Sequence, residues 1–321
     1  MTMEIDLVYL WVDGNDPVWR KKKNSYLPAD RQLGEDVAGE CRFVDNDELK
    51  YSLRSAERFA PWIRTIHIVT DGQCPAWLDT SHPRIRLVDH SRILPPDALP
   101  LFNASAIELG IGRIPDLAEH FLCANDDTFF GMPLAPDFFF DTEGRPVIRL
   151  AKQRVRGKND TYSRLILLQQ TLIGERFGKR YTLAPHHNID AYRKSDFEAA
   201  LGEVAERAEE TMRHRFRTPD DLHRSLCSYF ALATGRATLR RVGRYNRVAG
   251  LREAIGCFLS GRFRSDARCI PLTAPDYAAV LRKYNPALFA LNDGENTTPA
   301  DRERAKAFLQ SLFPEKSQFE K

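Results

Sequence analysis

The segment Phe121-Leu122-Cys123-Ala124-Asn125-Asp126-Asp127 constrains this chain more than any other. Four apolar residues make a short buried strand. An amide and two adjacent carboxylates follow at its C-terminal end. In an open α/β sheet that edge is where ligands bind. Two carboxylates with no basic neighbour in sequence need a counter-ion, and a hard divalent cation holding a diphosphate is the usual one. The plainer alternative is a strand followed by a capped turn.

The residues before this segment alternate strand and helix. Ile5 to Val12 is nearly continuous apolar sequence, the mark of a strand covered on both faces, and it stops at the turn cluster Asp13-Gly14-Asn15-Asp16-Pro17. Asp47 to Phe59 carries Leu49, Leu53 and Ala56 at helical spacing before Pro61. Thr65 to Thr70 and Ile85 to Val88 are further strands, and Ser105 to Phe121 is expected to be mostly helix, interrupted at Pro115. Strands alternating with helices predict a mostly parallel βαβ sheet.

After about residue 150 the pattern changes. Phe138–Phe140 and Val147–Leu150 flank a turn and suggest a hairpin. Residues 161–177, 190–213 and 219–234 read as helices. Residues 236–268 hold nine arginines against two acids. Their guanidinium groups suit a polyanionic ligand or an anionic membrane surface. Alternatively they are the wet face of a helical hairpin whose dry face is Leu251, Ile255, Phe258 and Leu259. Ala287–Leu291 ends in Asn292-Asp293-Gly294, and Thr298-Pro299-Ala300-Asp301 opens a capped final helix. The tail after Pro314 is expected to fray.

Composition excludes several classes. With 28% charged and 43% hydrophobic residues the chain is globular, and a net charge of +3 is too small to imply nucleic acid. Six cysteines form no C-x-x-C pair, which argues for free thiols in a cytoplasmic protein. The N-terminus lacks a signal-peptide pattern, and no apolar run reaches the ~20 residues needed to span a bilayer.

Four segments crowd polar residues at the end of an apolar run: Trp11 to Pro17, Asp45 to Leu49, Asn125 to Asp127, and Leu291 to Gly294. Together they suggest one acidic pocket at the strand ends. These segments resemble the Stealth family of hexose-1-phosphate transferases, which includes bacterial capsule polymerases and the catalytic subunit of the lysosomal-enzyme GlcNAc-1-phosphotransferase. Ile5 to Pro17 resembles the first conserved block. Arg42 to Ser55, Ala60 to Arg64, Ile68 to Gln73, Ser105 to Glu108 and Arg113-Ile114 resemble the second, through to Asp127. His186-His187-Asn188-Ile189-Asp190 matches the third in part, Arg217 to Asp221 the segment after it, and Leu291 to Gly294 the fourth. Asp13 stands where many relatives carry Asn, and Pro185 precedes both histidines instead of lying between them.

The resemblance implies an α/β, GT-A-like core, similar to that of nucleotide-diphosphate-sugar glycosyltransferases, with a helical insertion. Residues 1–150 would bind the nucleotide sugar, 151–285 would form a helical acceptor-side region, and 286–321 would return to the same catalytic domain. It implies transfer of sugar 1-phosphate from a UDP-sugar to a hydroxyl of a glycan acceptor with release of UMP, in capsule or exopolysaccharide synthesis. Asp126, Asp127 and Asp293 would hold Mg²⁺ or Mn²⁺. His186 or His187, with Arg217 and Glu48, would be catalytic. Trp11, Val12, Asp13, Asp16, Asp47, Arg54, Ser105, Glu108 and Arg113 would bind substrate. The enzyme would act in the cytoplasm, at the inner face of the membrane, with 236–268 contacting an anionic acceptor or the membrane. The first rival is a metal-dependent glycosyltransferase that attacks the anomeric carbon and releases UDP. The second is a basic binding protein with no enzymatic activity.

Overall fold

The computed structural model describes residues 3–29, 33–154 and 160–321. In chain order its strands are β1 (Ile5–Leu10), β2 (Ile66–Thr70), β3 (Ile85–Asp89), β4 (His120–Asn125), β5 (Thr128–Phe130), β6 (Val147–Arg154), β7 (Leu183–Pro185), β8 (Asp190–Arg193), β9 (Thr238–Arg241), β10 (Ala267–Pro271) and β11 (Leu288–Asn292). The main sheet has the order β3-β2-β1-β4-β8. Its first four strands run parallel, and β8 lies antiparallel on the β4 edge. This is the mostly parallel α/β sheet that the alternating pattern predicts.

Burial on both faces explains the unbroken apolar run of β1. Leu7 and Tyr9 cluster with Leu49 and Leu53 of helix Glu48–Phe59, while Val8 joins the opposite layer with Val69, Leu109 and Phe121. The chain leaves β1 on one side for β2 and β3, then returns to its other side for β4. Such a reversal opens a crevice at the C-terminal ends of the strands. Leu10 pairs with Asn125, so Trp11-Val12 and Asp126-Asp127 leave the sheet side by side.

Three later segments converge on that edge. A second sheet, β10-β11-β5, shares β5 with the acidic turn. The Leu291 amide donates to the Asp127 carbonyl at 3.0 Å, which brings Asn292-Asp293 alongside. Because β8 is antiparallel, with Asp190 opposite Cys123, the residues just before it arrive at the same end of β4. The third sheet, β7-β6-β9, delivers His186, whose amide donates to the Arg149 carbonyl at 3.1 Å.

Several local expectations are corrected. The helix expected over 105–121 is only Ala104–Leu109, capped at Gly110 and followed by a single 3-10 turn at Ile111–Arg113, and His120 already starts β4. The helix expected from Asp190 begins as β8, since pairing with β4 outweighs helical propensity; helices Lys194–Gly202 and Ala205–Thr211 follow. Residues 219–234 are helical only over Ser225–Ala233. The hairpin shrinks to a turn closed by the Phe140–Pro146 bridge. The arginine-rich stretch is β9 plus helix Leu251–Ser260, and its apolar stripe faces solvent rather than the body. The tail does not fray: Phe319 is fully buried, Glu320 bridges to Leu78, and Arg54 grips Glu320 through two bonds of 2.7 Å. The Thr298 capping box with Asp301 forms as expected.

Asp6 is the polar exception inside β1. Its buried carboxylate accepts from Arg64 at 2.8 and 2.9 Å and from the Ala118 amide at 2.8 Å, with His67 at 3.2 Å. Burial pushes this carboxyl up, but Arg64, His67 and the amide together pull it down to about 2. Asp6→Asn is therefore expected to cost ~2–3 kcal/mol of stability at neutral pH. The difference from the parent should be full above about pH 4 and shrink as pH falls towards 2. Urea melts across that range provide the check, and a pH-independent difference would rule out the ionic account.

Candidate active site

A cavity of about 570 Å³ opens where these segments meet. Its lining includes Trp11, Val12, Glu48, Glu108, Asp126, Asp127, His186, His187, Arg217 and Asp293, so ten of the side chains expected from sequence share one space.

One side is acidic and under-neutralised. Asp126 accepts a hydrogen bond from the Asp127 amide at 3.0 Å. Burial, and then the nearby carboxylates of Glu48, Asp127 and Asp45, hold its carboxyl well above the ordinary range. Glu48 is pushed up to about 7 by burial and by Asp45, although its oxygens accept from the Asn46 amide and side chain at 2.7 Å. Asp45 is raised to about 6 by burial, Asp47 and Asp13. Such crowding of carboxylates in a buried place raises their proton affinity and suits a positively charged ligand.

His187 bridges the acidic side to the rest. Its Nε2 lies 3.1 and 3.0 Å from the two oxygens of Asp127. Burial works against the charged imidazole, but Asp127 outweighs it and holds the group above the ordinary histidine value. In the neutral ring Nε2 keeps the proton towards Asp127, and Nδ1 carries the lone pair. His186 differs: burial and its neighbour His187 push it down to about 4, and its Nδ1 meets the His187 carbonyl at 3.1 Å.

Another part of the lining is cationic. Arg217 faces the cavity with no carboxylate partner among the described residues, and burial followed by repulsion from Arg42 lowers it to about 10. Arg42 lines the same space and is likewise unpaired among those residues. Trp19, Phe43 and Phe102 form an aromatic wall beside them, with ring centroids 5.3 and 5.5 Å apart.

Arg224 escapes sequence reasoning altogether, although it is the hub of the floor. It is 5% exposed and donates to Glu108 at 2.6 Å, to the Asn125 side chain at 3.2 Å and to Asp190 at 3.4 Å. Its sequence signal is an arginine set in the apolar run Leu222 to Ala233, because a buried charge needs partners. His223, also at the floor, is lowered to about 4 by burial despite Glu108.

Six expected substrate residues lie outside the cavity lining. Asp13 accepts from the Asn15 amide. Asp16 caps helix Pro17–Ser25 and accepts from Gln73. Asp47 pairs with Lys306 at 2.6 Å. Arg54 pins the C-terminal tail, Ser105 is buried beside its Asn103 cap, and Arg113 pairs with Glu209 at 2.6 Å on the surface. Among the metal candidates, both oxygens of Asp293 are taken by Arg302, at 2.7 and 3.3 Å. Among the described residues no three His, Cys, Asp or Glu side chains gather tightly enough to enclose an ion.

Comparison with known proteins supplies a context. Residues 3–31 match the model for Stealth conserved region 1, and residues 42–148 match that for Stealth conserved region 2. An exopolysaccharide phosphotransferase of Streptomyces coelicolor is 42% identical over 73% of this chain and 41% of its own length. The exopolysaccharide phosphotransferase CpsY of Mycobacterium leprae is 34% identical over 100% of this chain and 58% of its own. The chain thus spans about half the length of the curated relatives it matches. Among solved structures, the galactosyltransferase LgtC with donor and acceptor sugar analogues aligns with 98% of this chain and 96% of its own, at 12% identity and a TM-score of 0.45.

Proposed function

By its first two conserved regions this chain is a Stealth protein, and from that premise we propose that it transfers sugar 1-phosphate from a UDP-sugar to a hydroxyl of a glycan acceptor in exopolysaccharide or capsule synthesis. The observation that carries this reading is one cavity lined both by under-neutralised carboxylates and by two guanidinium groups that have no carboxylate partner among the described residues. A diphosphate with a divalent cation complements both kinds of charge at once.

The residues present fit such a cation, because Asp126 is buried among like charges and, among the described residues, only the Asp127 amide donates to it. Asp126 and Asp127 would hold Mg²⁺ or Mn²⁺, which would supply positive charge against the diphosphate. Asp293, held by Arg302, would contribute only if that pair opened.

Arg217 and Arg42 grip the phosphate oxygens, Arg217 through its planar fork. The aromatic wall of Trp19, Phe43 and Phe102 receives the base. The acceptor hydroxyl gives its proton to Nδ1 of His187, which Asp127 orients through Nε2. Its oxygen bonds to the β-phosphorus as the bond from that phosphorus to UMP breaks. Arg224 holds Glu108, Asn125 and Asp190 in place and so positions the turn that carries Asp126 and Asp127.

The identity of the leaving nucleotide decides between this and the glycosyltransferase reading. With UDP-sugars, Mg²⁺ and candidate glycans, UMP should appear in step with acceptor use. The product should give a phosphodiester signal in phosphorus NMR and keep the donor's anomeric configuration. Stoichiometric UDP with a product free of phosphorus would mean attack at the anomeric carbon instead.

A further inference from the structure

Helix Leu251–Ser260 is mounted with its apolar side outward. At helical periodicity Leu251, Ile255, Phe258 and Leu259 fall on one stripe about 100° wide, and Glu253, Gly256, Cys257 and Ser260 fall on the other side. A helix packed on its own protein turns the apolar stripe inward. Here Leu251 is 78% exposed, Ile255 51%, Phe258 72% and Leu259 78%, and no residue of the helix is buried. The polar side lines a hollow against the body that includes Phe263 and Leu281. Glu253 fastens it there: its carboxylate accepts from the Ala249 amide at 2.6 Å and pairs with Arg264 at 2.8 Å. Gly261, in the left-handed region at φ +64°, ends the helix cleanly.

The surrounding charge says what covers the stripe. Arg241, Arg244, Arg252 and Arg262 are exposed, and none has a carboxylate partner among the described residues. Arg252 lies about 20° around the helix from Leu259, so a cation borders the apolar stripe directly. A second copy of the chain would press this basic rim against its own equivalent, which like charge opposes. A sheet of anionic lipid headgroups over acyl chains complements both the rim and the stripe.

We infer that helix Leu251–Ser260 is an interfacial element that seats this protein on an anionic bilayer, with the four apolar side chains at the acyl boundary and the arginines on lipid phosphates. No helix among the described residues is long and apolar enough to cross a membrane, so this attachment lies in the plane of the surface. None of the four apolar residues lines the catalytic cavity, and the inference goes beyond the transfer reading.

Co-sedimentation of the full chain with vesicles tests it without nucleotide or glycan, so the outcome is separate from that of the transfer reaction. Vesicles containing phosphatidylglycerol should bind at least about tenfold more tightly than phosphatidylcholine alone. Phe258→Gln with Leu259→Gln should weaken that binding about tenfold or more while the thermal midpoint holds, since both side chains are exposed. Phe258→Trp should be quenched by brominated lipid. Three results would overturn the inference: no preference for the anionic vesicles, binding indifferent to the double substitution, or a dimer in solution that the double substitution dissociates.

Discussion

Asp126→Asn and Asp127→Asn each lower turnover at least about a hundredfold, the scale of losing one preorganised electrostatic contact with a charge-spreading transition state. Their effects on folding should differ. Asp126 is crowded by Glu48, Asp127 and Asp45 and receives one amide hydrogen bond, so Asn removes like-charge repulsion and the thermal midpoint should not fall. Asp127 also pairs with His187 at 3.0 Å, so its replacement should cost up to ~1 kcal/mol, the scale of a partly exposed ion pair. A residue whose loss leaves stability intact and removes activity is placed for the ligand and not for the fold. Initial rates with Mg²⁺ or Mn²⁺, with and without EDTA, alongside thermal melts, give both readouts. Full activity in either variant, or in EDTA, would sink the carboxylate-held cation.

Arg217→Lys should be nearly as inactive as Arg217→Ala, again about a hundredfold below the parent. Lysine keeps the charge but loses the planar fork that meets two phosphate oxygens at once. Arg217 is suited to such a test because no carboxylate holds it among the described residues; burial and Arg42 lower it to about 10, which still leaves it charged at neutral pH. Removing an unpaired cation relieves that unfavourable burial, so neither variant should melt below the parent. Arg54 is the control. It is bound to Glu320 and to the Phe313 carbonyl, so Arg54→Ala should loosen the C-terminal tail and lower the melting temperature while the leaving nucleotide stays the same. A lysine variant at position 217 with close to normal turnover would move Arg217 out of the phosphate site.

Legibility differed sharply between elements of this chain. Both β1 and β4 could be read because a strand covered on both faces leaves an apolar run that local chemistry alone explains. Helix Glu48–Phe59 and the Thr298 cap were legible for the same reason: spacing, cap and stop signals lie within a few residues of one another. The strand at residues 190–193 is not legible in sequence because its pairing partner, β4, is some seventy residues earlier. Helix Leu251–Ser260 had its apolar stripe visible, but which way the stripe faces depends on Glu253 finding Arg264 and on the hollow beneath.

The arginines draw the line most clearly. From sequence alone Arg54, Arg113, Arg217 and Arg224 are the same cation: the first two are expected to bind substrate, Arg217 is expected to be catalytic, and Arg224 carries no expectation. Sequence by itself determined the α/β alternation, the acidic end of β4 and the set of polar strand ends, because each is written in neighbouring residues. Tertiary structure decided which cation is free. Arg54 meets Glu320 across 266 residues, and Arg224 meets Glu108 across 116. A charge is available to a ligand only when no carboxylate has already taken it, and that depends on partners the chain brings together only by folding.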